Sequence, residues 1–268
     1  MMFSQGQRSH YFEEVEESFG RHRFSYPVEV VDKILEFGGK RWHPLILEIG
    51  CGVGEATALF APRGLPMVCL EPGPALLASA RQACRDYPDV EFVQSTFDDW
   101  NANSQHFDLI IAARSLHWVR HDLRFTKTAD VLAPSGILAI FHKQELPGES
   151  ACSKTIEALV SAAVPERPRG DARALRAQFA ASENYSDYRE VTMDWTIKED
   201  RQSYISDRRS AAELQSLPVP EREALLAAMA EVIDAHGGEI DVSLRLFLSM
   251  ARRRRGPRWW QKISLIHR

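Results

Sequence analysis

An α/β fold built on a parallel sheet is predicted by three observations. Leu45–Ala61 reads LILEIGCGVGEATALFA, an apolar strand, a glycine turn and the start of a helix. That is the first half of a βαβ unit. Short apolar runs then alternate with amphipathic stretches along the chain. Finally, the next run ends in an acid, Glu71, 21 residues after Gly50, where such a unit sets a carboxylate beside a ribose.

Composition bounds the class. The 268 residues allow one large domain with room for an insertion. Hydrophobic residues are 44% and charged residues 26%, and the net charge of −4 excludes a global attraction to nucleic acid or anionic membrane. No apolar stretch approaches the ~20 residues of a membrane span. The opening MMFSQGQRSHYFEEVEE is polar and lacks the apolar core of a signal peptide, so a cytoplasmic protein is expected. Cys51, Cys69, Cys84 and Cys152 show no C-x-x-C spacing, which indicates neither zinc nor a disulfide framework.

Taken in order, Tyr11, Phe12, Val15 and Phe19 have helical spacing within Ser4–Phe19. Pro27–Phe37 reads as a helix with proline in its first turn and Gly38-Gly39 at its end. These helices form a leader, residues 1–40, that the sheet does not need. The first strand is Leu45–Ile49, and Glu55–Ala61 starts a helix whose dipole favours an anion. Met67–Glu71 is the second strand and Pro74–Asp86 an amphipathic helix. Val90–Gln94, Phe107–Ala112 and Ile137–Phe141 are the third to fifth strands, with a helix over Asp122–Leu132. A core over residues 41–142 results. Gly148–Tyr185 holds two helical patterns, Ser153–Val164 and Ala172–Ala181, and reads as a lid inserted at 143–187. Its arginines (Arg167, Arg169, Arg173, Arg176) either engage an anionic substrate or form a solvated face. Tyr188–Lys198 alternates as a sixth strand, two short helical pieces fill Arg201–Leu217, Pro220–His236 is a longer helix, and Val242–Ala251 is the last strand. The core therefore resumes over 188–252. Arg252–Arg255 with Trp259-Trp260 marks a basic tail, 253–268, either an exposed end or a grip on a nucleic-acid strand.

The glycine turn carries the chemistry. Its glycines let backbone N–H groups approach a ligand where a Cβ would clash. A G-x-G-x-x-G fingerprint would need a third glycine where Glu55 stands, and no G-K-[ST] follows. The spacing of Glu48, Gly50, Gly52 and Gly54 instead resembles motif I of the class I S-adenosylmethionine (SAM)-dependent methyltransferases. Glu71 fits a nucleoside ligand without choosing between NAD and SAM. Further likenesses are Arg23-Phe24-Ser25-Tyr26-Pro27 to an R-P-x-Y-P signature (Phe24 departs), Glu71–Arg81 to the segment after motif I, and Ser95–Trp100 to a "fE.W" segment. Ala113–Trp118 is similar to A-x-x-x-H-W, and Pro134-Ser135-Gly136 to P-G-G. Together they resemble a small-molecule branch related to trans-aconitate-type methyltransferases.

The resemblance implies a Rossmann-like seven-stranded sheet of order 3-2-1-4-5-7-6, the last strand antiparallel, with a helical lid. It implies SAM as cofactor, S-adenosylhomocysteine as product, and no metal. Cofactor contacts fall on Glu48, Gly50, Cys51, Gly52, Gly54, Glu71, Pro72, Phe97, Asp98, Ala113 and Arg114. Phe97 would lie on the adenine face, and Asp98 would accept from its amino group, with Asp99 competing. His117 is either a general base suited to neutral pH or a packing residue. Tyr11, Tyr26, Trp118 and His142 are substrate or lid candidates. The expected activity is methyl transfer to a small metabolite, without nucleic acid or membrane as partner; the oligomeric state is not readable. An RNA or protein methyltransferase, and a non-catalytic SAM-binding partner, stay open as alternatives.

Overall fold

A computed structural model describes residues 26–39, 42–164, 172–209 and 211–254. Tyr11, the helix over Ser4–Phe19, Arg167, Arg169 and the end of the chain from Arg255 lie outside the described residues.

The elements in chain order are α1 (Glu29–Gly38), β1 (Ile46–Ile49), α2 (Thr57–Phe60), β2 (Met67–Leu70), α3 (Pro74–Ala83), β3 (Val90–Val93), β4 (Phe107–Ala113), α4 (Thr126–Val131), β5 (Leu132–Glu145), α5 (Ala151–Ala163), α6 (Ala172–Ala180), β6 (Tyr185–Asp200), α7 (Arg201–Arg209), α8 (Ala212–Gln215), α9 (Val219–Ala235) and β7 (Glu239–Arg253). One seven-stranded sheet has the order β3-β2-β1-β4-β5-β7-β6. The first five strands pair in parallel, and β7 inserts antiparallel between β5 and β6. This is the predicted order. All four residues of β1 are buried, as a central parallel strand covered on both faces requires. One apolar cluster joins α1 to one face, through Val30, Val31 and Ile34. The other face is packed by Phe107, Ile110, Leu138 and Phe179.

Several expectations are corrected. The last three strands are longer than their apolar runs. β5 continues through Lys143, Gln144 and Glu145, whose backbone pairs with Leu246, Arg245 and Leu244 of β7. β6 and β7 run on as a wing to Asp200 and Glu239. The helix after the glycine turn is a single α turn followed by a 3₁₀ turn over Ala61–Arg63. Pro62 there has no N–H to extend the ladder, so the expected helix dipole is small. The helix expected over Asp122–Leu132 starts only at Thr126, since residues 121–125 form turns. The helix after β2 stops at Ala83.

The insertion divides in two. Ile156 and Val160 of α5 pack with Leu226, Met229 and Ile233 of α9 and with Val242 and Leu244 under the wing. By contrast, α6 returns to the main sheet, where Phe179 is fully buried and stacks on Phe125 at 5.4 Å. The first arginines of the supposed tail are also built in. Arg252 donates to the Phe37 carbonyl, Arg253 to that of Leu132, and Arg254 to Glu183 and Tyr185, both at 2.9 Å. Arg252 and Arg189 both lie over the Phe37 ring, at 4.8 and 4.9 Å.

Candidate functional site

The turn after β1 has left-handed backbone at Gly50, Gly52 and Gly54, with φ of +68°, +58° and +86°. A Cβ on Gly50 would stand 2.7 Å from the Ser115 Cβ. Ser115 holds that approach, because its hydroxyl donates to the Ile49 carbonyl. A Cβ on Gly52 would meet nothing within 4 Å, so space lies open above it. Cys51 is buried; its N–H donates to Leu70 at 2.9 Å, and burial pushes its thiol far above the ordinary range.

Glu71 follows β2 and reaches across this turn. Its Oε2 accepts from the Gly52 N–H at 3.0 Å and its Oε1 from the Gly73 N–H at 2.8 Å. The carboxylate is 5% exposed. Burial raises its pKa, and the N–H bonds from Gly73 and Gly52 oppose the rise. Each oxygen has a second lone pair for a ligand. Pro72 beside it is exposed.

Glu48 belongs to the interior. It is 1% exposed, and its Oε2 accepts from the Thr57 hydroxyl at 2.6 Å and the Cys69 thiol at 3.6 Å. Its Oε1 has no hydrogen-bond partner among the described residues. Burial pushes its pKa up to about 7. It ties β1 to α2 beneath the turn.

After β3, Phe97, expected on the adenine face, packs into the core. It is 4% exposed, packs near Trp100 at 6.5 Å, and has the Lys127 ammonium 5.0 Å from its ring centre. Lys127 donates to the carbonyls of Phe97, Asp98 and Trp100 at 2.6, 2.9 and 2.7 Å, fixing the loop. No local spacing marks Lys127, because its partners are about a helix and a strand away in sequence. Asp99 accepts from its own loop's Thr96 hydroxyl at 2.7 Å. Asp98 instead faces the segment after β4, with the Arg120 N–H 3.3 Å from each carboxylate oxygen.

Ala113 ends β4 and is half-buried. Arg114 has φ +57°, and its N–H donates to Phe141 at 3.0 Å. His117 is exposed and Trp118 half-buried, their rings 5.0 Å apart. The Arg124 guanidinium binds the His117 carbonyl at 2.9 Å. Tyr26 is buried edge-on to Phe141 at 5.1 Å. The Lys143 ammonium lies 4.4 Å from the Tyr26 ring and pairs with Glu55, joining the segment before α1, β5 and the end of the glycine turn. His142 is half-buried beside Phe247. Among the described residues no group of three or more His, Cys, Asp or Glu could hold a metal.

Residues 46–136 match a family described as methyltransferase domain. A trans-aconitate 2-methyltransferase of Paracidovorax citrulli is 28% identical over 208 residues, 71% of this chain and 77% of that one. An uncharacterized methyltransferase of Mycobacterium bovis is 29% identical over 123 residues, 46% of this chain. The match spans about half, 48%, of that relative's length. Among solved structures, a SAM-dependent methyltransferase from Thiobacillus denitrificans in complex with S-adenosylhomocysteine has TM-score 0.52 at 16% identity, covering 94% of this chain and 100% of its own. That likeness speaks for the fold alone.

Proposed function

We propose that this chain, whose residues 46–136 match a methyltransferase domain, binds SAM and transfers its methyl group to a small-molecule acceptor. The observation that carries the reading is Glu71 bound to the Gly52 N–H beside the open space over that glycine. Both lie at the carboxyl ends of β1 and β2, where sheets of this kind bind ligands. SAM, when bound, supplies an electrophilic methyl on a sulfonium.

The chain's own residues do the rest. Glu71 offers free lone pairs to the ribose hydroxyls, and Gly52 leaves room for the cofactor. Gly50, Gly54 and Cys51 shape the turn, and Asp98 faces the base end. Ala113 and the backbone of Arg114 border the reacting face, with Trp118 as a wall. We assign His117 to take the proton of a hydroxyl or amine acceptor. The leader with Tyr26, together with the wing carrying α5 and α9, is assigned to exclude water during transfer. The four cysteines are free and buried, which fits a reducing, cytoplasmic setting. Among the described residues, no helix is long and apolar enough to cross a membrane.

The RNA-directed alternative loses part of its support, since Arg252, Arg253 and Arg254 spend their guanidinium groups on backbone carbonyls. Thermal melts test the main reading. SAM and S-adenosylhomocysteine should raise the melting temperature through ligand linkage, and NAD should leave it unchanged. Equal stabilisation by NAD, or none by SAM, refutes it.

A further inference from the structure

Arg114, just past β4, and His142, in the outer part of β5, are basic side chains that the glycine turn does not use. The bond from the Arg114 N–H to Phe141 sets Arg114 in register beside His142. His142 lies opposite Phe247 of β7, and their rings stack 5.1 Å apart at 14°. Arg176 of α6 covers the pair. Its guanidinium carbon is 4.4 Å from the Phe247 ring centre, and its Nη1 is 3.2 Å from His142 Nε2.

The protonation of His142 follows from its partner. Arginine has five donors and no acceptor. The Nε2 of His142 therefore accepts, the ring is neutral, and its proton sits on Nδ1. Burial, then Arg176, Arg114 and His117, push this imidazole down to about 4, in agreement with a neutral ring. The nearby acid is Glu190, and it is already engaged. It accepts from Tyr188 at 2.7 Å and Ser249 at 3.3 Å, and pairs with the Arg176 Nε at 3.2 Å. Neither His142 Nδ1 nor the Arg114 guanidinium has a hydrogen-bond partner among the described residues. Arg114 is exposed and holds a left-handed backbone without being glycine. Such strain persists only where the surroundings enforce it.

We propose that Arg114, His142 and Arg176 form an anion-binding subsite for the acceptor, which carries a carboxylate or phosphate group. Planar guanidinium donors match the oxygens of either group, and the Nδ1–H of neutral His142 adds a further donor. A bound anion would offset the two guanidinium charges that act on His142. The placement beside the reacting face rests on the methyl-transfer reading above.

The test is histidine NMR on the full chain saturated with S-adenosylhomocysteine, titrated separately with succinate and inorganic phosphate. At least one probe should raise the His142 pKa by a unit or more. Arg114→Gln and Arg176→Gln should each weaken that probe at least tenfold, and Arg176→Gln should keep its affinity for S-adenosylhomocysteine. A response to succinate alone marks a carboxylate ligand, and to phosphate alone a phosphate ligand. No shift with either probe, or binding that survives both substitutions, overturns the subsite. If S-adenosylhomocysteine fails to bind while a probe still moves His142, the subsite stands and the methyl-transfer reading falls.

Discussion

Substituting Glu48 by glutamine should make the protein more stable in mild alkali than the parent. The carboxyl is 1% exposed, and burial lifts its pKa from 4.5 to about 7. The folded state thus holds the Glu48 proton more tightly than the unfolded chain does. This contribution to stability is complete below pH 4.5 and is lost as pH rises to about 7. At 1.36 kcal/mol per pKa unit, the loss is about 3 kcal/mol, an order-of-magnitude figure. Glutamine imitates the protonated acid: its carbonyl can accept from Thr57, and its amide takes the place of the unpartnered Oε1. Urea unfolding of both proteins at intervals from pH 5 to pH 8 gives the difference in stability directly. The two should be close at pH 5, and the variant should lead by roughly 2–3 kcal/mol at pH 8. A difference that stays flat across this range refutes a buried Glu48 with a raised pKa.

The other predictions concern the ligand side. Glu71→Ala should weaken SAM binding by about 1.5–3 kcal/mol, the range for hydrogen bonds to a charged group, and Glu71→Gln by less, since one acceptor remains; calorimetry showing unchanged affinity in both would place Glu71 outside the cofactor contact. His117→Ala should lower turnover roughly 10²-fold with SAM affinity retained, and its melting temperature should hold because the ring is exposed. Unaltered kcat would refute His117 as the base.

What was legible in the sequence had short range. The glycine spacing and Glu71 are read from residues close together in the chain, where backbone sterics and apolar periodicity act, and the order of strands comes with the family resemblance those motifs carry. The features that escaped depend on distant partners. Phe97 looks available in its loop, yet Lys127 and Trp100 enclose it. The arginines at 252–254 look like a free basic run, yet carbonyls of Phe37, Leu132, Glu183 and Tyr185 receive them. The polar end of β5 shows no strand signal, because its pairing is supplied by the backbone of β7. The two inserted helices look alike in pattern, and only the position of their apolar residues against α9 or against Phe125 separates them.

The two acids of the motif show why spacing identifies a site before it assigns roles. Glu48 lies within β1 and Glu71 just past the end of the neighbouring parallel strand β2, yet their environments differ. Glu48 receives a hydroxyl and a thiol, has no backbone N–H donor, and leaves one oxygen unpartnered. Glu71 receives two backbone N–H groups, which favour its charged form against burial. A carboxylate that must accept from two ribose hydroxyls has to stay ionised at neutral pH. Two backbone N–H donors oppose the rise that burial causes at Glu71, whereas Glu48 has no such donor and is pushed up to about 7. On the proposed reading the ligand contact goes to Glu71, while Glu48 fixes β1 to α2 through Thr57 under the turn. A glutamine at 48 should leave SAM binding nearly intact, whereas the same change at 71 should weaken it, and comparing the two by calorimetry separates the roles.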